Sequence, residues 1–102
     1  MSRAGIPKRV SSYDRDAPTP AIGSRWVWEF GKPHAQETIT VTKVEWNGEE
    51  WWVETVCDDR PLRGPISRET FGVIPGKPYW NDLSRFWEAV SHIPAGTPGP
   101  LR

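Results

Sequence analysis

Two runs of β-branched and aromatic residues flank Asn47-Gly48 and predict a β-hairpin in the middle of the chain. The predicted strands cover Glu37–Trp46 and Trp51–Asp58. Asn and Gly are the residues that most often connect two antiparallel strands by a tight turn. A long central hairpin commits this chain to a fold that is mainly β.

The register of this hairpin depends on the length of its loop. A two-residue Asn-Gly turn would place Glu45 opposite Glu50, and like charges at facing positions destabilise a strand pair. A four-residue loop avoids that contact. Its register gives the cross-strand pairs Trp46 with Trp51, Val44 with Val53 and Lys43 with Glu54. We therefore expect the longer loop.

The alternation of apolar residues slips by one position within the first strand of the hairpin. Ile39 and Val41 share one parity, whereas Val44 and Trp46 have the other. A one-residue slip turns the following side chains to the opposite face of a sheet. A β-bulge at Thr42-Lys43 removes this conflict, and such a bend is typical of the corner of a small barrel.

Two further strands are expected on either side of the hairpin. Trp26, Trp28 and Phe30 alternate with Val27 and other outward residues, which predicts a strand over residues 24–30. Residues 59–78 contain four prolines and three glycines, and a structureless loop of that length is unusual in a compact domain. We therefore expect a short strand near residues 66–71.

The end of the chain carries a helical pattern. Leu83, Phe86, Trp87 and Val90 recur at the spacing of one helix face. The pattern predicts a helix over about residues 82–91, capped by an Asn or Asp at its start and preceded by a short strand at residues 78–81.

Apolar residues are concentrated in the middle of the 102-residue chain. Residues 1–21 hold only two large aliphatic side chains, Ile6 and Val10, and residues 94–102 are mostly Pro, Gly and Ala. Such segments bury too little surface to offset the entropy of ordering them. We expect a flexible N-terminal arm over residues 1–21, one domain over residues 22–93 and a flexible C-terminal tail over residues 94–102.

The order of these elements resembles that of small SH3-like β-barrels. The resemblance is carried by Gly23–Trp26, Thr38–Trp46, Trp51–Val56 and Tyr79–Val90, and the layout is also similar to short uncharacterised proteins of actinobacteria and their phages. It implies a small SH3-like barrel with a bulged central hairpin and a short C-terminal helix. It implies little chemistry, because this barrel hosts many unrelated functions.

Charge argues against a nucleic-acid module. The 22–93 unit has eight basic and eleven acidic residues, a net charge of −3, and a negative domain repels phosphate. The alternative is a small nucleic-acid-associated barrel that uses the basic arm and the 60–77 loop. Its contact residues would be Arg60, Arg63, Arg68 and Lys77.

Enzymatic and metal-binding motifs are weak in this sequence. Cys57 is the one thiol, and it could act as a nucleophile with His34 or His92 as its base. A single Cys at an inward strand position is, however, usually a small buried apolar residue. The histidines and the cysteine lack the close spacing of a zinc site. We expect a protein that is not an enzyme and that uses no cofactor or metal. Among the functions considered, an enzyme ranks third. A lone Cys and the lack of a long apolar run predict a cytoplasmic protein outside the membrane.

Protein or peptide binding is the function that the pattern favours most. If Trp51 and Val53 point inward, Trp52 points outward, and one of the adjacent Tyr79 and Trp80 must also face away from the core. The predicted non-catalytic adaptor site comprises Trp52, Trp80, Tyr79, Glu45 and Glu54. Aromatic rings beside carboxylates suit a segment that contains Pro or Arg. The competing interpretation is that the long loop or a tail covers Trp52 and Trp80 as a second small core.

The arm itself contains a candidate ligand. Residues 15–21 form a short segment rich in Pro that begins with Arg15. It is a candidate to dock on the predicted aromatic face of Trp52 and Trp80, within the same chain or on a second copy, so that the protein is a monomer or a weak homodimer.

Overall fold

One four-stranded antiparallel sheet, with its strands side by side in chain order, forms the centre of the fold. The computed structural model describes residues 7, 9–30 and 35–90. The strands are β1 (Arg25–Phe30), β2 (Ala35–Trp46), β3 (Trp51–Cys57) and β4 (Tyr79–Asp82). The helices are α1 (Ile66–Phe71) and α2 (Leu83–Ala89). The predicted C-terminal tail, residues 94–102, lies outside the described residues.

The central hairpin has the expected register and the expected bulge. Trp46 pairs with Trp51, and Lys43 pairs with Glu54. Between Val41 and Lys43 the register shifts by one residue, so Thr42 is the extra residue of the bulge. The bulge keeps the apolar residues on both sides of it on one face of the sheet, which we call the inner face.

Burial along this inner face decreases towards the hairpin loop. Val41 and Val53 are completely buried, whereas Val44, Trp46 and Trp51 are half-buried. Burial on the inner face is therefore complete only in the part of the hairpin that lies over the centre of the sheet.

Strand β1 buries residues on both of its faces. Trp26 is fully buried on the inner face, as expected, but the neighbouring Val27 is also buried, with 1% of its surface exposed. Val27 points to the outer face, as expected, but it is not exposed to solvent. Its cross-strand partner Thr38 is buried as well, so this end of the outer face is covered.

Helix α1 corrects the strand expected near residues 66–71. Pro65 lies at the N-cap of the helix, and Gly72 ends it with a φ of 66°, a left-handed conformation that glycine adopts without strain. The Gly72 N–H donates to the carbonyl of Arg68. A six-residue segment with proline before it and glycine after it therefore forms a short helix in place of the expected strand.

Helix α2 covers the inner face and confirms the helical pattern at the end of the chain. All four residues of the stripe, Leu83, Phe86, Trp87 and Val90, are buried. Their side chains join Trp26 and the inner residues of β2 and β3 in one hydrophobic core. Burial of this stripe is the main contribution of the C-terminal region to stability.

The sheet is open, so the SH3-like barrel is not confirmed. Among the described strands, β1 and β4 are the two edges and do not pair with each other. Helix α2 follows β4 directly, and Val90 at its end forms an isolated antiparallel bridge with Trp28 of β1. The helix thus spans the side of the sheet that a closed barrel would seal with a strand pair.

A buried ion pair attaches α1 to the sheet. The side chain of Glu37 on β2 is fully buried and accepts hydrogen bonds from Arg68 at 2.9 and 3.0 Å and from the Ser67 hydroxyl at 2.6 Å. Burial by itself would raise the pKa of Glu37, but Arg68 and Ser67 outweigh it and hold that pKa below its usual value. Glu37 is therefore ionised and fully hydrogen-bonded.

We predict that Arg68→Leu destabilises the protein by about 3 kcal/mol at neutral pH, because it leaves a buried carboxylate without its partner. In the wild-type protein the lowered pKa of Glu37 adds stability above the ordinary pKa of glutamate, and this stability is lost as the pH falls through the folded-state pKa. In Arg68→Leu, burial without a partner raises the pKa of Glu37. The difference in the free energy of unfolding between this variant and the wild type should therefore shrink as the pH falls towards about 5.

Denaturant unfolding at neutral and mildly acidic pH measures both effects. Arg63→Leu is the matched control, since Arg63 is exposed and lies in the same loop region. Equal stability losses for the Arg63 and Arg68 variants would contradict the role of this ion pair.

Candidate functional site

Four of the five predicted contact residues lie on the outer face of the hairpin and β4. Trp52 faces Glu45 across β2 and β3, and Glu54 faces Trp80 across β3 and β4. We call Glu45, Trp52, Glu54 and Trp80 the outer aromatic face. Trp80 is 41% exposed.

The bulge fixes one carboxylate of this face. The hydroxyl of Thr42, the extra residue in β2, donates to the Glu54 carboxylate at 2.7 Å. Glu54 lies on β3 together with Trp52, and this hydrogen bond holds its carboxylate towards β2. An ordered carboxylate beside two indole rings is a site that suits a cationic group.

Tyr79 does not belong to the outer aromatic face. Alternation along β4 places it on the inner face, opposite to Trp80. Its hydroxyl accepts the backbone N–H of Ile74 and donates to the carbonyl of Gly72, each at 3.1 Å. Tyr79 therefore anchors the loop after α1 and does not lie beside Trp52.

A second tryptophan surface, which is not among the predicted sites, holds the N-terminal arm. We call Trp46, Trp51 and Trp87 the arm-binding surface. The Trp51 indole N–H donates to the backbone carbonyls of Asp14 and Arg15 at 3.1 and 3.2 Å. The Trp87 indole N–H donates to the carbonyl of Pro18 at 3.0 Å.

Aromatic and apolar contacts add to these hydrogen bonds. The Arg15 guanidinium lies 5.3 Å from the centre of the Trp46 ring, within the range of a cation–π interaction. Ala17 and Pro20 of the same segment are buried, and Ala17 joins the hydrophobic core. The segment from Arg15 to Pro20 thus binds the chain's own tryptophans through stacking, indole hydrogen bonds and buried small residues.

Ser12 connects the arm to the start of α2. Its hydroxyl donates to the Asp82 carboxylate at 2.7 Å and accepts the backbone N–H of Ser84 at 2.8 Å. Burial by itself would raise the pKa of Asp82, but hydrogen bonds from Ser12, from Ser84 and from backbone N–H groups lower it overall. The arm therefore supplies part of the cap of α2.

These contacts differ from the flexible arm that composition indicates for residues 1–21. Residues 12–20 lie on the domain, whereas residues 1–6 and 8 lie outside the described residues. Amino-acid composition does not predict this docking, because it indicates only how much apolar area a segment can bury. Most contacts of the arm are made by backbone carbonyls, a hydroxyl and a guanidinium. Arg15 followed by two prolines is the signal for docking within the chain, and the partner surface is Trp46, Trp51 and Trp87 rather than Trp52 and Trp80.

The basic residues proposed for nucleic-acid contact are not equally available. Arg68 is bound to Glu37 and to the backbone carbonyls of Asp58 and Asp59. Arg60, Arg63 and Lys77 are exposed. One of the four positive charges is therefore neutralised within the protein.

The thiol of Cys57 is buried on the inner face, and burial together with the nearby Glu37 raises its pKa. A raised pKa keeps the thiol protonated, which lowers its nucleophilicity. The two residues considered as its catalytic partners, His34 and His92, lie outside the described residues. In the part of the chain that the structure describes, no three His, Cys, Asp or Glu residues form a metal-binding group.

No protein-family model, curated protein or solved structure matches this chain. Among the described residues, no helix combines the length and apolar character needed to cross a membrane.

We predict that Trp51→Phe destabilises the protein by about 1 kcal/mol more than Trp46→Phe. Both substitutions keep an aromatic ring, but Trp51→Phe removes the indole N–H that binds the arm at Asp14 and Arg15. Trp46 contributes to the arm through its ring face, which phenylalanine retains in part.

Denaturant unfolding compares the stabilities, and amide hydrogen exchange of residues 12–20 reports arm docking. Faster exchange is expected in Trp51→Phe than in Trp46→Phe. The same exchange rates in both variants would show that the indole bonds do not hold the arm.

Proposed function

We propose that this protein is a non-catalytic binding module whose outer aromatic face docks an extended, Arg- and Pro-containing segment of a partner protein. The observation that carries the proposal is the exposure of Trp80 beside Glu54, with Trp52 and Glu45 on the same face of the sheet. An exposed tryptophan costs hydrophobic free energy, and a binding partner recovers that free energy by covering it.

The chemistry of the face selects the partner. Proline rings pack on flat indole surfaces, and a polyproline conformation loses little entropy on binding. A guanidinium gains from stacking on an indole and from a charge-assisted hydrogen bond to a carboxylate. Glu54, which Thr42 holds in place, and Glu45 provide two carboxylates for this purpose.

The arm supports the proposal because it illustrates the same recognition within one chain. Arg15 stacks on Trp46, and the carbonyl of Pro18 accepts a hydrogen bond from the Trp87 indole. This binding uses a different surface, so the docked arm leaves the outer aromatic face accessible at Trp80. A partner segment of related composition therefore has a chemically similar surface to bind.

An SH3-like barrel is part of the same proposal. The meander of four strands, the bulge in β2 and the helix across the open side support it. We further propose a role as an adaptor in a phage or its actinobacterial host, which rests on the resemblance in layout alone. Nucleic-acid binding is less favoured, because the 22–93 unit is negative and Arg68 is bound to Glu37.

We predict that the full chain binds a synthetic peptide with two Arg-x-x-Pro repeats and that Trp80→Ala or Trp52→Ala weakens this binding by about 1–3 kcal/mol. NMR titration should shift the indole resonances of Trp52 and Trp80. Leu62→Ala is the control, since Leu62 is an exposed apolar residue that does not belong to the outer aromatic face. Shifts that are restricted to other residues would overturn the proposed site.

Stability measurements on the same variants separate a binding role from a core role. Trp52→Ala should destabilise the protein by less than the roughly 3–5 kcal/mol expected for the buried Trp26→Ala. If both substitutions unfold the protein equally, Trp52 is a core residue and the outer aromatic face is not a binding site.

A further inference from the structure

Strand β4 is an edge of the sheet, and no other described strand pairs with its outer side. At the opposite edge, Trp28 of β1 is already bridged by Val90. An edge strand presents backbone N–H and C=O groups that can pair with another extended chain. Trp80 is the exposed residue of β4, so the open edge coincides with an exposed indole ring.

Two hydrogen bonds outside the sheet show how the backbone of β3 is oriented. The Trp51 N–H donates to the Ser12 carbonyl at 2.8 Å, on the side away from β2. At the other end of the strand, the Cys57 carbonyl accepts the Gly76 N–H at 3.2 Å, again away from β2. Backbone groups of consecutive residues point to opposite sides of an antiparallel strand. The odd-numbered residues of β3 therefore direct their backbone groups towards β4.

This orientation determines that of β4. Thr55 and Val53 lie opposite Tyr79 and Asn81, so these two residues of β4 form the hydrogen bonds with β3. Trp80 lies between them and directs its backbone N–H and C=O to the open edge. In the described part of the chain neither group has a hydrogen-bond partner. Trp80 therefore offers one donor and one acceptor beside its exposed ring.

We propose that two copies of this chain pair through β4, about a two-fold axis at Trp80, so that their sheets join into one continuous sheet. A donor and an acceptor on the same residue are self-complementary, because two antiparallel copies of Trp80 exchange both hydrogen bonds. The two indole rings then lie side by side on the outer face, where each covers part of the other.

The neighbours of Trp80 select this register. Pro78 has no N–H, and with Trp80 on the two-fold axis it faces Asp82 of the second copy. Asp82 is the N-cap of α2, so its carbonyl already accepts the first hydrogen bond of that helix. The missing donor of Pro78 therefore leaves no acceptor unpaired. A register shifted by two residues would place Pro78 opposite Trp80 and leave the Trp80 carbonyl without a donor.

Charge and size indicate how strong this pairing is. The full chain has a net formal charge of zero, so two copies do not repel each other through their overall charge. The interface consists of a short strand pair and one pair of rings, which is typical of a weak and reversible dimer. It uses backbone groups at the edge of the sheet, whereas the peptide site proposed above uses indole faces and carboxylates.

Sedimentation equilibrium of the full chain tests the pairing. The average mass should rise from that of one chain towards that of two between about 10 µM and 1 mM. Hydrogen exchange of the Trp80 amide should slow about fivefold over the same range, because its N–H enters a hydrogen bond. The mass of a single chain at about 1 mM would overturn the proposal.

Trp80→Lys places two like charges opposite each other and should keep the protein monomeric at about 1 mM. Trp80 is exposed, and lysine is common on edge strands, so the variant should fold with unchanged dispersion of the core resonances. Lys77→Gln is the matched control, since it also changes one charge at an exposed position and should dimerise like the wild type. Dimerisation of Trp80→Lys at the wild-type level would show that the axis is not at Trp80.

Trp80→Cys tests the position of the axis directly. Facing residues of a hydrogen-bonded antiparallel pair have Cα atoms about 5.5 Å apart, within the reach of a disulfide. Oxidation should link two Trp80→Cys chains at least about tenfold faster than two Lys77→Cys chains, whose Cα atoms would lie on the order of 20 Å apart. Equal rates would overturn the proposed register. Cys57 is buried and common to both variants, so the wild-type chain serves as the blank.

The two proposals fail separately. The Arg-x-x-Pro peptide titration is carried out at about 10 µM protein, where the chain should be monomeric, and reports on the outer aromatic face alone. Sedimentation without peptide reports on the pairing of β4 alone. A chain that dimerises without binding the peptide contradicts only the proposed function, and a chain that binds the peptide but stays monomeric at about 1 mM contradicts only the pairing.

Discussion

Edge-to-face packing of Trp26 against α2 is the interaction on which the rest of the structure depends. The Trp26 ring meets Phe86 at 5.9 Å and Trp87 at 5.2 Å, with interplanar angles of 83° and 86°. In a chain of this size a few large aromatic side chains must supply most of the buried apolar area. Because these rings hold α2 across the open side of the sheet, they decide which face is the core and which faces solvent.

The position of α2 then determines the roles of the other tryptophans. Trp87 turns its indole N–H to the arm, and Trp51 at the hairpin does the same, so the arm extends the core along the side of the sheet. Trp52 and Trp80 lie on the other face of the sheet. Two chemically similar surfaces therefore differ in occupancy, since one binds a segment of its own chain and the other is open at Trp80.

Local patterns in the sequence predict the elements but not the way in which the distant parts meet. The bulge at Thr42 and the stripe on α2 follow from parity and periodicity, which are properties of neighbouring residues. Helix α1 is too short to show a period, and its stability depends on the distant Glu37. Docking of the arm depends on indole N–H groups that meet backbone carbonyls more than thirty residues away. The outer aromatic face is predictable apart from Tyr79, because two adjacent strand residues face opposite sides and the sequence does not tell which one faces out.

The most direct test of arm docking is the thermal stability of a chain that lacks residues 1–16, compared with the full chain and with a chain that lacks residues 1–6. Removing residues 1–16 deletes Ser12 and the carbonyl groups of Asp14 and Arg15 that bind Trp51. We expect a melting temperature lower by roughly 5–15 °C than that of either longer chain, because a loss of about 1–2 kcal/mol shifts the melting temperature of a domain of this size by that amount. An unchanged melting temperature would show that the arm contributes nothing to the stability of the fold and would contradict its docking on Trp51 and Trp87.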